Sequence, residues 1–214
     1  MISLLPKDGS TVDLLPWWYR FTLDSSTDYL FGSSVDSLQN PKTVFAEAFS
    51  KVQEIQTFRT KIGPAWKWYY PAEFKSAMSD LNNFIEPFVE RAIAQSFDEK
   101  LLERKEERGE KVNLTDSLSQ FTNDRKTLRD QLVSTLLASR DTTACTLAWL
   151  FYELAYHPDV YARLRKEVLE RLGVDGQPTY EDLKSMKYLQ WCLNEGIPSV
   201  QTSLVNCGSL EVIS

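Results

Sequence analysis

Residues 138–144 read Ala-Ser-Arg-Asp-Thr-Thr-Ala, in the middle of a long stretch whose apolar residues otherwise recur at helical spacing. An acid beside an alcohol, Asp141-Thr142, can hold and relay a proton once water is present. Ala138 and Ser139 are small, so a flat group or another backbone can approach closely there. Polar residues at mid-helix are unfavourable, each by roughly half a kcal/mol in propensity relative to Ala. A Thr hydroxyl that bonds the carbonyl four residues back bends the ladder, so a bulge is expected here. A plain kink, a helix-crossing notch, or an ion pair of Asp141 with Arg140 or Arg163 accounts for the same residues without chemistry.

Few other residues compete for a chemical role. The single histidine, His157, excludes any site built from several imidazoles, and its place before Pro158 reads as a structural cap. Cys145, Cys192 and Cys207 form no C-x-x-C, which argues against a zinc ribbon or a disulfide framework. No metal site is expected from the residues themselves. Among the 8 glycines no two are spaced G-x-G, so dinucleotide and P-loop fingerprints are absent. A net charge of −6 leaves no concentrated basic face for phosphate backbones, so no nucleic-acid partner is expected. No apolar run approaches the roughly 18 residues of a membrane span, and the N-terminal residues lack a signal peptide's basic and apolar regions.

The elements that must position Asp141 and Thr142 are helical, and period-two strands are missing. One helix is expected from about Val12 to Leu30, with Leu15, Trp18, Phe21, Leu23 and Tyr29 on its stripe and Gly32 at its end. A second runs from about Pro41, in its first turn, to Ile62, where Gly63-Pro64 stops it. Its Phe45, Phe49 and Phe58 read as core residues. Trp66, Trp68, Tyr69 and Tyr70 then form an aromatic linker, one reading of which is core packing of amphipathic rings. A long helix is expected from Pro71 to about Leu102, and a short one from Leu114 to Phe121. The dominant rod, Asp124 to Tyr156, would be about 50 Å long at 1.5 Å per residue. Pro158 opens another helix, ending at Gly173. Thr179 with Asp182 reads as a capping box before a short helix, and a last helix starts near Lys187. From Gly196 to Ser214 only Glu211 is charged; this segment, 196–214, reads as an aberrant, disordered tail.

At these residues the chain resembles the cytochrome P-450 family, the haem-thiolate monooxygenases. The stretch ASRDTTACTLAWLFYELAYHPDVYARLRKEV is similar to the family's long central helix and the helix after it, whose pattern is small-Gly-x-acid-Thr-Thr, an apolar helix, then His-Pro. Arg20 to Leu38 (RFTLDSSTDYLFGSSVDSL) resembles a helix of fungal alkane and fatty-acid ω-hydroxylases. Pro178 to Glu195 (PTYEDLKSMKYLQWCLNE) resembles the approach to the E-x-x-R helix. The resemblance covers nearly all of residues 1–195 and implies an all-α central portion of the P-450 fold, with N- and C-terminal parts missing.

By that resemblance Asp141 and Thr142 are the catalytic acid and alcohol that guide protons to iron-bound dioxygen. Ala138, Ser139 and Thr143 would line the haem's distal face, with Ser139 standing where the family has Gly. The aromatic linker Trp66, Trp68, Tyr69 and Tyr70 would fall, equally with its core reading, in the family's substrate-entrance and membrane-facing loop. Glu195 would open E-x-x-R, but Pro198 occupies the arginine's place. The cofactor implied is haem. Its axial Cys loop is not recognisable, because Cys207-Gly208 lacks the surrounding Phe and Arg. The implied partners are O₂, a lipophilic substrate such as an alkane or fatty acid, and an NADPH-dependent flavoprotein reductase. Full-length relatives would sit on the endoplasmic reticulum membrane; this chain, with no anchor, is expected on its cytoplasmic side or in solution. A non-catalytic truncated product and an acidic helical interaction module are the alternatives.

Overall fold

The computed structural model describes residues 4–6, 8, 10–95, 101–109, 111–174 and 176–196. Helices α1 (Leu15–Phe31), α2 (Val44–Lys61), α3 (Ala72–Gln95), α4 (Leu101–Glu107), α5 (Leu114–Ser119), α6 (Arg125–Tyr156), α7 (Pro158–Leu172) and α8 (Tyr180–Ser185) follow in order. A helical stretch at 187–196 is α9. Among the described residues there is no strand. The expected tail, including Pro198 and Cys207, lies outside the described residues apart from Gly196. The chain divides into two compact units, residues 1–141 and 142–214, at a point inside α6.

In the first unit the core is made by α1, α2, α3 and the first half of α6. Leu81, Ile85 and Val89 of α3 and Leu128, Leu132 and Leu136 of α6 recur every fourth position and are buried together with Leu23, Leu30 and Phe31 of α1 and Phe45 and Phe49 of α2. Spacing of four keeps side chains on one helical face, and for Leu128, Leu132 and Leu136 that signal is legible in the sequence. Phe84 of α3 reaches two of the other helices, its ring 4.1 Å from that of Phe45 on α2 and 6.0 Å from that of Phe31 on α1.

Three expectations are corrected here. The α1 stripe is rotated: Phe21 and Tyr29 are exposed, whereas Thr22 and Thr27 are buried. Their hydroxyls donate to the carbonyls of Trp18 and Leu23, at 3.0 and 2.9 Å, so burial leaves no donor unmet. Pro41 lies in the turn before α2, and the cap is Thr43, whose hydroxyl accepts from the Ala46 N–H at 3.3 Å. The third helix is described over Ala72–Gln95 and α4 from Leu101, the expected stretch between them lying outside the described residues; α3 contains Pro87, which withholds one backbone donor. The aromatic linker contains a 3-10 turn, Gly63–Trp68, with Trp66, Trp68, Tyr69 and Tyr70 exposed, and Phe58 before it is exposed too.

Two polar devices hold the connections of this unit. The Asp24 carboxylate accepts from the Ser37 N–H and hydroxyl, both at 2.7 Å, and from the Leu38 N–H at 3.0 Å, pinning the segment after α1. The Thr115 hydroxyl donates to the Leu30 carbonyl at 2.6 Å, tying α5 to the end of α1. In the second unit, the Glu167 carboxylate of α7 accepts the Tyr188 and Leu189 N–H groups, at 3.0 and 2.9 Å, and so caps α9. The Thr179/Asp182 capping box is formed at α8, and Arg171 adds an ion pair to Asp182 at 2.8 Å.

Candidate functional site

The polar stretch of α6 does not break the helix. Residues 125–156 are α-helical throughout, so the expected bulge is absent. The reason lies in the partners its polar groups find on neighbouring helices of the first unit. Ser139 bonds Ser26 of α1 at 2.9 Å and donates to its own Leu136 carbonyl at 3.2 Å. Arg140 is buried and donates from Nη2 to the Ser50 hydroxyl of α2 at 3.2 Å and from Nη1 to the Gln53 side-chain carbonyl. Gln53 in turn donates from Nε2 to Asp141 Oδ2. One amide therefore links the two charges, which lie 3.5 Å apart at Arg140 Nη1 and Asp141 Oδ1.

The Arg140 guanidinium is also held between rings, its carbon 5.0 Å from the Tyr19 ring centre and 5.1 Å from that of Phe49. Burial pushes the Arg140 guanidinium below its ordinary value, with Asp141 and Tyr19 pulling the other way. The Asp141 side chain retains 36% of its exposure, so water reaches a carboxylate whose direction is set by Gln53. Of the sequence candidates, Ser139 and Asp141 are drawn against α1 and α2, while Ala138, Thr142 and Thr143 are exposed on the same helix. The Thr142 carbonyl accepts from the Thr146 hydroxyl at 2.8 Å. Asp141 takes up Arg140; Arg163, the other expected partner, stacks on the Tyr188 ring at 4.3 Å.

Ser26, Ser50 and Gln53 were invisible to pattern reading. They lie more than eighty residues from their α6 partners, and nothing in their local spacing marks them.

The cytochrome P450 family model matches residues 3–197. The chain belongs to the cytochrome P450 family. It is 42% identical over 189 residues to cytochrome P450 monooxygenase pvhE of Talaromyces variabilis, covering 88% of this chain and 34% of that protein. It is 34% identical over 211 residues to cytochrome P450 52E1 of Candida apicola, covering 91% of this chain and 40% of the relative. The P450 chain thus spans between a third and two fifths of the length of these relatives. The crystal structure of the cytochrome P450DA heme domain superposes with a TM-score of 0.63 at 21% identity, over 88% of this chain and 41% of the other, a likeness of fold alone. The all-α section is accordingly part of the P450 fold.

Membership implies haem, and the described residues fit it on one side only. Ala138 and Thr142, four positions apart on α6, are short and exposed, as close approach of a flat ring requires. A thiolate is another matter. Cys145 is buried within α6, and burial pushes the Cys192 thiol up, with Glu167 adding to the effect and Arg163 opposing it. The surroundings of Cys192 disfavour the ionised sulfur that would ligate iron. Among the described residues no cluster of His, Cys, Asp or Glu is placed to hold a metal ion.

Proposed function

We propose that this chain is the oxygen-side section of a longer P450 monooxygenase that inserts one atom of O₂ into a C–H bond of an alkane, fatty acid or similar lipophilic molecule. Residues 1–195 form its partial helical domain. Haem, when bound, supplies the oxygen chemistry; the protein supplies access, orientation and protons. Asp141 is the acid that exchanges protons with water, and the Thr142 hydroxyl, next along the helix, passes them on. Ala138, Ser139 and Thr143 leave room for the ring. The observation that carries this reading is Gln53 holding the half-exposed Asp141 carboxylate beside an open run of small and hydroxyl-bearing residues.

The lipophilic substrate rests on the resemblance of Arg20–Leu38 to the fungal ω-hydroxylases and on similarity to the Candida apicola protein. Electrons would come from an NADPH-dependent flavoprotein reductase, and the full-length protein would work at the endoplasmic reticulum membrane. No described helix is long and apolar enough to cross a membrane.

The test is a graft of residues 3–197 into the matching stretch of the Candida apicola relative, assayed with a reductase on dodecane and dodecanoate. Oxygenated product is expected, and Thr142→Ala should keep NADPH consumption while losing product. A graft that binds haem and CO yet oxygenates neither compound overturns the proposal. The 214-residue chain alone, given haem and reduced under CO, is expected to show no thiolate-type Soret band; its appearance would place a competent cysteine in this chain.

A further inference from the structure

The second half of α6 carries three oxidisable rings in contact. Trp149 and Tyr152 meet edge to face with centres 5.2 Å apart, and the Tyr152 and Tyr156 rings lie 4.9 Å apart. These positions step by three and four along the helix, the spacing that brings side chains onto one face. Thr142 lies on the same stripe, so the rings lead away from its hydroxyl. At 1.5 Å per residue Tyr156 stands about 21 Å further along the axis.

Exposure rises in that direction: Trp149 is half-buried, Tyr152 is 51% exposed and Tyr156 67%. With both tyrosines half or more in water, burial against the core does not account for the run. A hydrogen bond to Tyr156 holds the Tyr152 phenol above its ordinary value, so it keeps its proton at neutral pH. Indole and phenol are among the side chains that lose an electron most readily, and a phenol releases its proton with the electron. Electron transfer falls steeply with distance, so rings in contact exchange far faster than rings on separate helices. At neutral pH the phenoxyl is the more stable of the two radicals, which sets the direction from indole to phenol.

We propose that Trp149, Tyr152 and Tyr156 form a radical relay that carries an oxidising equivalent along α6 to the surface. The oxidant is a strong one-electron acceptor of the class that partly reduced oxygen supplies, and the reductant at the outlet is a soluble thiol or ascorbate. The acceptor takes one electron from Trp149, whose indole N–H proton goes to water. The indolyl radical then takes an electron from Tyr152 and a proton from water, while the Tyr152 phenol gives its proton to water. The Tyr152 phenoxyl takes a hydrogen atom from Tyr156 along the bond between them, and the Tyr156 phenoxyl takes one from the external reductant. The relay lies wholly in the second unit and is independent of the proposed oxygen chemistry.

Oxidation of the 214-residue chain by radiolytic azide radical at neutral pH tests it. The chain holds 6 tryptophans, so the indolyl signal is mixed, and spin trapping with peptide mass spectrometry assigns each radical to its residue. The trapped radical should sit mainly on Tyr156. Tyr156→Phe should raise the Tyr152 adduct several-fold, and Tyr152→Phe should raise the Trp149 adduct several-fold. Trp149→Phe should lower the Tyr156 adduct. Phenylalanine keeps a ring at each place, and unchanged helical circular dichroism checks the fold; should one variant unfold, the other two carry the test. A Trp149 adduct that Tyr152→Phe leaves unchanged, a Tyr152 adduct that Tyr156→Phe leaves unchanged, a Tyr156 adduct that Trp149→Phe leaves unchanged, or phenoxyl growth that quickens with protein concentration overturns the proposal.

Discussion

Gln53 is the residue on which the polar stretch of α6 depends, because its one amide serves a buried cation and a carboxylate together. Replacing it with Leu keeps the volume and removes both bonds, leaving Arg140 with fewer acceptors in a buried place. The cost should be about 1–3 kcal/mol, read as a lower urea midpoint with an unchanged slope. Gln53→Glu should retain the bond from Arg140 but set a second carboxylate against Asp141, so its stability should recover on mild acidification. Asp182 carries a different prediction. Hydrogen bonds from the Thr179 hydroxyl and backbone, then Arg171, hold its carboxyl below the ordinary value of 3.8. A depressed folded value means the contribution is fully present above pH 3.8 and is lost as pH falls through the folded value. Carboxyl NMR of the chain should show Asp182 titrating later than free Asp on acidification, and Thr179→Ala should bring it back toward 3.8.

At the scale of elements, helix ends and joints decide more than helix interiors. Gly32 closes α1 at φ +71°, and a Cβ there would stand 3.1 Å from the Asn113 amide nitrogen. Gly32→Ala should therefore cost about 1–2 kcal/mol, the left-handed penalty for a side chain, with added crowding from Asn113. Urea unfolding measures this, and an unchanged midpoint would show that the α1–α5 joint is looser than described. The capping box of α8, Thr179 with Asp182, and the helix-ending Gly32 and Gly173 were legible because their chemistry is local. The continuity of α6 was not. Read alone, Ser139-Arg140-Asp141-Thr142-Thr143 argues for a bulge; the partners that Ser139, Arg140 and Asp141 find on α1 and α2 cannot be read from spacing along α6.

Across the described residues of the molecule, several large rings stand in solvent. Trp68 is 87% exposed and Phe121 86%, with Tyr156 and Trp191 also open. Single exposed rings add little to folding. Trp68→Ser with Phe121→Ser should change the melting temperature little yet reduce self-association, as sedimentation or light scattering at rising concentration would record. Loss of cooperative melting in that double variant would mean these rings belong to the fold rather than to its surface.

What could be read from residue order alone was whatever is periodic or adjacent. The fourfold spacing of Leu128, Leu132 and Leu136 marked a buried helical face, and Asp141-Thr142 beside small residues marked a candidate proton path. The family followed from segments that are contiguous in the chain. What only the folded chain decided was which way each polar group faces and what holds it. The Gln53 link to Arg140 and Asp141 and the rotated face of α1 with Thr22 and Thr27 inside both join positions whose partners lie on other turns or other helices. Periodicity reports one helix against an unspecified interior. A hydrogen bond needs a particular atom within about 3 Å, and only packing brings that atom there.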